Sequence, residues 1–306
     1  MALKDRISLG MSLPHRSPDP LDPATVRQVA QRAEAVGFSD LWVTSNALDH
    51  VYSFDSMGVL TFAAAVTTRI RVGVSVLVLP VMHPVTVAHQ VATLDNLSDG
   101  RAILGVGIGR EHHYHQFQIP TERRVRRFRE GVEVIKAVWT EAKIDYRGDI
   151  FRLEGETMTL KPVQKPRPPI WFGGDHPDAI RRTAALADAW MGSGGSSRAV
   201  FGRSVPILKA ALKEAGRDPE KFPISKRVFM SVHERAEVAR AELDRWFTVV
   251  YRNPAGTDAS GVHGTPEQVR KQLEELVDLG ANHLLLNPVC RYAGQVDALA
   301  KLAGLT

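Results

Sequence analysis

Cysteine is all but absent. Cys290 is the single one in 306 residues, which excludes an internal disulfide framework and fits a reducing compartment. Placed in the apolar stretch LLLNPVC, it reads as a packed thiol rather than a nucleophile. No apolar run approaches the ~20 residues of a membrane span, and the N-terminal residues lack a secretory pattern, so neither membrane insertion nor export is expected and the location reads as cytoplasmic. Neither sign of charge dominates: 39 Lys and Arg against 34 Asp and Glu leave a formal charge of +5. The basic residues recur at helical intervals among acidic ones and no nucleic-acid motif appears, so the excess points to small anionic ligands rather than nucleic acid. With 44% hydrophobic and 24% charged residues, the composition is that of an ordinary globule with ample chain for a core.

What is present is alternation. Eight apolar runs read as strands: Arg6 to Leu13, Asp40 to Thr44, Ile70 to Val78, Ala102 to Gly107, Ile170 to Gly173, Ala189 to Ser193, Ser225 to Val232 and His283 to Asn287. Amphipathic segments fall between them. One opens at Asp22-Pro23 and stops at Gly37, and another opens at Thr265-Pro266 and stops at Gly280, as capping chemistry requires. Strands alternating with helices imply an α/β fold with a parallel sheet, and this length suits one (β/α)8 TIM barrel occupying residues 1–306. The spacing is regular except between the fourth and fifth strands. There an insertion carries a helix from Arg124 to Trp139 and a turn-rich stretch, IDYRGDIFRLEGETMTLKPVQKPRPP, which points to a functional or interface role. The apolar face Val132, Ile135, Val138 and Trp139 of that helix suggests a homodimer. The segment YRNPAGTDASGVHG from Tyr251 reads equally as a lid over the open end or as a linker.

In such a barrel the ligand sits at the C-terminal strand ends. The residues there are Ser45, Asn46, Ser75, Val76, Gly107, Gly109, Gly174, Ser193, Gly194, Gly195 and Ser196. The Gly192–Ser197 run precedes a helix, so its glycines, hydroxyls and the helix N-terminus form a candidate phosphate cradle. GVGIG, from Gly105, lacks both the helix and the acidic residue of a dinucleotide fingerprint, which removes a Rossmann reading. Directly after it come Arg110, Glu111, His112, His113, Tyr114 and His115. No recognisable metal-ligand spacing accompanies them and no metal is expected. Glu111 as proton acceptor, with His112 or His113 as donor, is the catalytic reading, and plain surface placement of the cluster is the equal alternative. The run ERRVRRFRE, from Glu122, reads either as a solvated face or as a clamp on an anionic tail.

The stretch RIRVGVSVLVLPVMHPVTVAHQVATLDNLSDGRAILGVGIGR, from Arg69, closely resembles the luciferase-like monooxygenase superfamily. So do GFSDLWVTSN, KPRPPIWFGG, ALADAWMGSGGSS and GTPEQVRKQLEELVDLGANHLLLNP, and together they cover nearly the whole chain. The resemblance implies an oxidoreductase barrel that uses the deazaflavin coenzyme F420, or alternatively FMN, on a small organic substrate. It implies a non-prolyl cis peptide at Ser75-Val76 beneath the cofactor ring, with Gly107 and Gly109 clearing space beside it. Many deazaflavin-using relatives carry Asp-His where this chain has Ser45-Asn46, and Asp49-His50 follows slightly later. Either His50 fills that role or the enzyme works without it, since Asn46 cannot transfer a proton at neutral pH. The net charge, Ser75-Val76 and the Arg-rich run Arg123 to Arg129 favour F420 and hydride transfer. A reduced-FMN monooxygenase is the alternative, and a non-catalytic flavin-binding barrel a further one.

Overall fold

The computed structural model describes residues 2–306. Eight parallel strands carry the architecture: β1 (Ser8–Ser12), β2 (Asp40–Val43), β3 (Arg71–Val78), β4 (Ala102–Gly107), β5 (Ile170–Gly173), β6 (Ala189–Gly192), β7 (Ile224–Val232) and β8 (His283–Pro288). They pair in the order β6-β5-β4-β3-β2-β1-β8-β7, and β6 pairs with β7 to close the barrel. Each strand falls where the apolar runs placed it. Burial on both faces explains the near absence of polar alternation in β4 and β8, in which every residue is buried. The helices end as their caps dictate. Asp22 accepts from the Ala24 N–H at 2.9 Å ahead of helix Pro23–Val36, and Gly37 ends that helix at φ 96°.

The insertion between β4 and β5 is more ordered than a turn-rich stretch. Strands Ile144–Arg147 and Arg152–Glu156 form an antiparallel hairpin. Its turn hangs on Glu130 of helix Arg124–Thr140, whose carboxylate accepts the N–H groups of Asp149, Ile150 and Phe151 at 2.9–3.1 Å. The apolar face expected to make a dimer is spent inside the chain instead. Val132, Ile135, Val138 and Trp139 are all at most 2% exposed, and the Trp139 indole donates to the Ala88 carbonyl at 2.8 Å. The homodimer expectation loses the surface on which it rested. The segment from Tyr251 is more than a bare linker: Tyr251 and Arg252 line the cavity, and it holds a short helix, Gly256–Ser260, and a strand, Val262–Gly264, that extends the sheet alongside β7.

At the N-terminal end of the barrel lies a largely buried polar knot, with the Arg71 side chain partly exposed. The Asp40 carboxylate accepts from His283 Nε2 (2.9 Å), Arg71 (2.9 Å), the Ser39 hydroxyl (2.7 Å) and the Trp42 indole, while His283 Nδ1 lies 2.7 Å from Ser225 Oγ. Burial alone would raise the Asp40 pKa, but His283, Arg71 and Trp42 outweigh it and hold it well below the carboxylate range. The order Ser–His–Asp imitates a hydrolytic triad. Ser225, His283 and Asp40 are at most 2% exposed, however, and lie at the end of the barrel away from the ligand cavity, where polar groups serve stability. Gly10 makes room for the knot, since a Cβ there would stand 2.1 Å from Asp40 Oδ1.

Candidate active site

A cavity of about 890 Å³ opens at the C-terminal strand ends, a size that suits a cofactor together with a small substrate. It collects most of the residues expected from sequence: Ser45, Asn46 and His50 after β2, Ser75 and Val76 in β3, Gly107, Gly109 and His112 at and after β4, Gly174 after β5, and Ser193 and Gly194 after β6. Glu111, Gly195 and Ser196 do not line it. Glu111 points to solvent, 73% exposed, with His115 as its neighbour at 3.8 Å. The backbone N–H groups of Gly195 and Ser196 are consumed within their own loop by Ser193 Oγ (3.3 Å) and the Ser193 carbonyl (3.2 Å). Met82 also reaches the cavity, whereas Trp42, Leu77 and Trp171 belong to the core.

The floor is a shelf built of glycines around Val76. The Ser75–Val76 peptide bond is cis, as the resemblance implied, and the β3–β4 register shifts between Val74 and Leu77. A Cβ on Gly107 would stand 2.8 Å from one Val76 methyl, one on Gly173 would stand 3.1 Å from the other, and one on Gly105 would meet the Val74 carbonyl at 2.0 Å. Side chains here would fill the shelf, so glycine leaves a surface against which a flat ring system can lie. The Ser193–Gly194 loop edges the same cavity and leads into helix Arg198–Glu214, capped by Ser197. The Ser193 hydroxyl and the Gly194 backbone are the groups of this loop that would hold a terminal phosphate, while the helix start beyond them does not line the cavity. A shelf and a cradle in one cavity fit a phosphorylated flavin or deazaflavin.

Asn46 is aimed by a chain that sequence reasoning did not find. Its Nδ2 donates to Thr44 Oγ1 (2.9 Å), and the Thr44 N–H donates to His15 Nε2 (2.8 Å) while His15 Nδ1–H donates to the Leu13 carbonyl (2.7 Å). Burial lowers the His15 pKa to about 3, against the pull of the Leu13 carbonyl and with help from Arg227 and Arg16, so the imidazole is a neutral strut. His50 lines the cavity, but its Nε2 lies 2.8 Å from the Val249 carbonyl and its Nδ1 3.1 Å from Asp49. Both ring nitrogens are engaged by protein. His112 and His113 lie close, with ring centroids 3.9 Å apart, and His113 has its pKa lowered by burial and by His112. Among the described residues no group of three or more His, Cys, Asp or Glu is arranged to hold a metal ion.

Three further basic residues matter that the sequence did not single out. Lys226, 2% exposed, lies under the cradle and donates to the carbonyls of Ser193 and Ser196 and to the Ser196 hydroxyl. Burial lowers its pKa to about 7 despite Asp175. Arg227 reaches the cavity from β7, and Arg16, paired with Asp49 at 2.5 Å, reaches it from the loop after β1. Of the two readings of the run from Arg123 to Arg129, the solvated face is the one that fits, since the run lies outside the cavity. Arg123 and Arg126 pair with Asp149, Arg127 stacks over Phe151, and none of the run lines the cavity.

A closed parallel barrel whose glycine shelf and Ser193–Gly194 loop edge one cavity at its C-terminal mouth has the architecture of a ligand-binding barrel. The chain belongs to the luciferase-like monooxygenase family, whose profile matches residues 7–258. It is therefore a member of a family of oxidoreductases. Among curated proteins it is 28% identical over 227 residues to a phthiodiolone/phenolphthiodiolone dimycocerosates ketoreductase of Mycobacterium tuberculosis, covering 69% of this chain and 60% of that protein. The chain thus matches about 60% of the length of such relatives. Among solved structures it shares the fold of an F420-dependent secondary alcohol dehydrogenase bound to an F420–acetone adduct, with TM-score 0.86, 20% identity and coverage of 98% and 99% of the two chains. It likewise matches the F420-dependent tetrahydromethanopterin reductase of Methanopyrus kandleri, with TM-score 0.81, 21% identity and coverage of 97% and 98%. No helix among the described residues is long and apolar enough to cross a membrane.

Proposed function

We propose that the chain is an F420-dependent oxidoreductase that moves a hydride between the deazaflavin and a small organic substrate. The observation that carries this reading is the continuity of one cavity from the Val76 shelf, past the Ser193–Gly194 cradle, to the exposed rim arginines Arg110 and Arg252. A coenzyme with an anionic tail beyond its first phosphate needs such a basic rim. When bound, the deazaflavin supplies a two-electron hydride carrier. The protein's part is positional: Val76 and Gly107 support the ring, Ser193 and Gly194 fix the phosphate, and Asn46, aimed by Thr44 and His15, offers an amide to a carbonyl oxygen. The relatives that reduce a ketone or oxidise a secondary alcohol agree with this chemistry.

The placement of Arg123 to Arg129 outside the cavity favours a second reading, a reduced-FMN monooxygenase, because one terminal phosphate needs no longer basic track. Titrating the protein with F420 and with FMN, followed by tryptophan quenching, separates them. F420 is expected to bind at least ~10-fold more tightly, about 1.4 kcal/mol. Preference for FMN would support the monooxygenase, and tight binding of neither would remove both readings.

A further inference from the structure

Buried arginines in this chain fall into two kinds. Arg101 is 9% exposed and touches no carboxylate, yet its five N–H groups are all used: Nε on the Ser98 carbonyl, and the terminal nitrogens on the Thr67 hydroxyl and on the carbonyls of Ile70, Ala64 and Thr67, at 2.6–3.1 Å. It is a structural clasp. Arg227 is equally buried, at 9%, but lines the cavity. Its Nε and one terminal nitrogen both donate to a single atom, Asn287 Oδ1, and the other terminal nitrogen reaches the Ser75 carbonyl only at 3.4 Å. That leaves two of a guanidinium's five N–H groups without a protein acceptor among the described residues. No carboxylate among them lies within ion-pair distance of Arg227 either, whereas the neighbouring Arg16 is neutralised by Asp49.

A guanidinium desolvated at a cavity wall, with neutral partners and spare donors, is costly unless something anionic completes it. The Phe229 ring beneath Arg227, 4.7 Å from the guanidinium carbon, fixes the plane of the fork, and Asn287 fixes its direction. We propose that Arg227 is a substrate-binding residue that selects an anionic organic substrate, holding a carboxylate by its two free N–H groups next to the Val76 shelf. This deepens the reading of the cavity as the site of an oxidoreductase and rests on it. It names the substrate class: a small carboxylate-bearing carbonyl or alcohol, its anionic end on Arg227 and its reacting carbon over the shelf. Burial lowers the Arg227 pKa to about 10, with Arg16 adding to the effect, and a bound carboxylate would reverse that loss.

The test uses benzoate and its neutral isostere benzamide as probes, titrated by calorimetry into the full chain without coenzyme and then with F420 present. Wild type is expected to bind benzoate at least ~10-fold more tightly than benzamide, because a site built to pair a charge rejects the analogue lacking it. Arg227→Met is expected to erase that preference while leaving benzamide unchanged. Arg227→Lys should retain a preference reduced severalfold, and Asn287→Leu, which frees the fork, should also weaken benzoate selectively. If Arg227→Met does not fold by circular dichroism, the lysine variant decides. Equal binding of the two probes to wild type, or a preference that survives Arg227→Met and Arg227→Lys unchanged, would overturn the proposal. So would a pattern in which the variants lower F420 affinity but not benzoate selectivity, since the anion would then be the coenzyme's. Because the first titration contains no coenzyme, failure of the F420 reading shows separately, as absent F420 binding with benzoate selectivity intact.

Discussion

Gly107→Leu is expected to lower F420 affinity by roughly two orders of magnitude, about 2.7 kcal/mol, while the barrel still folds. The basis is steric. Gly107 ends β4 in the cavity wall, and even a Cβ there would press on a Val76 methyl at 2.8 Å. A leucine must project its remaining carbons over the shelf where the ring is to lie. The obstructing atoms are the tips of a side chain rather than backbone, so the strand can yield slightly and stay paired with β3 and β5. Gly105→Leu is the contrasting control: its Cβ would meet the Val74 carbonyl at 2.0 Å, so its expected failure is in folding. Tryptophan quenching reads the affinity and circular dichroism the fold. Unchanged F420 binding in a folded Gly107→Leu protein would place the ring elsewhere.

The second large effect lies at the other end of the barrel. Asp40→Asn is expected to cost about 3 kcal/mol at neutral pH, within the range seen when one partner of a buried charged network is removed. The amide offers its NH2 to a site where His283, Trp42, Arg71 and Ser39 all present donors. The sign of the pH dependence follows from the depressed Asp40 pKa. A carboxyl whose folded value lies below its unfolded value stabilises the fold fully above about pH 4, and that contribution is lost as pH falls below it. The gap between wild type and Asp40→Asn in guanidinium denaturation should therefore be widest near neutrality and shrink from about pH 4 downward. A gap that grows on acidification would contradict the charge assignment. F420 affinity should be unchanged, because the knot lies outside the cavity.

How much of this was readable in the chain depended on the range of the information. The eight strands were legible because a parallel strand buried on both faces leaves a local mark, an apolar run bounded by Gly, Pro or Asp. The cavity glycines and the Ser193–Gly194 loop were legible from position alone, once the barrel was assumed. The hairpin at Ile144–Arg147 and Arg152–Glu156 was not. Its strands are short and mostly charged, and what orders its turn is Glu130, a helical residue whose three backbone partners lie about twenty positions away.

The same limit hid the chemistry of the floor. In β7, Lys226 and Arg227 are adjacent charges in an otherwise uncharged run, and nothing beside them in the chain shows what they bond. Their burial, and their different tasks, follow from Ser193 and Ser196 on one side and from Asn287 and Ser75 on the other. His15 likewise becomes a strut for Asn46 only because the barrel brings the loops after β1 and β2 together. Conversely, the density of titratable groups from Glu111 to His115 overstated its role. A short helix, Glu111–Gln116, turns Glu111 and His115 to solvent, while half-buried His113 and exposed His112 line the cavity mouth.

Whether this cavity carries out hydride transfer with F420 is read most directly from one anaerobic measurement. Reduced F420 is mixed with the protein and a panel of small ketones, aldehydes and 2-oxo acids, and return of the oxidised coenzyme's visible absorbance is followed without oxygen. The band is expected to return with at least one carbonyl compound, fastest among the carboxylate-bearing ones, and at a rate indifferent to oxygen. Turnover that appears only with reduced FMN and oxygen, with reduced F420 left unchanged by every compound, would contradict hydride transfer with F420.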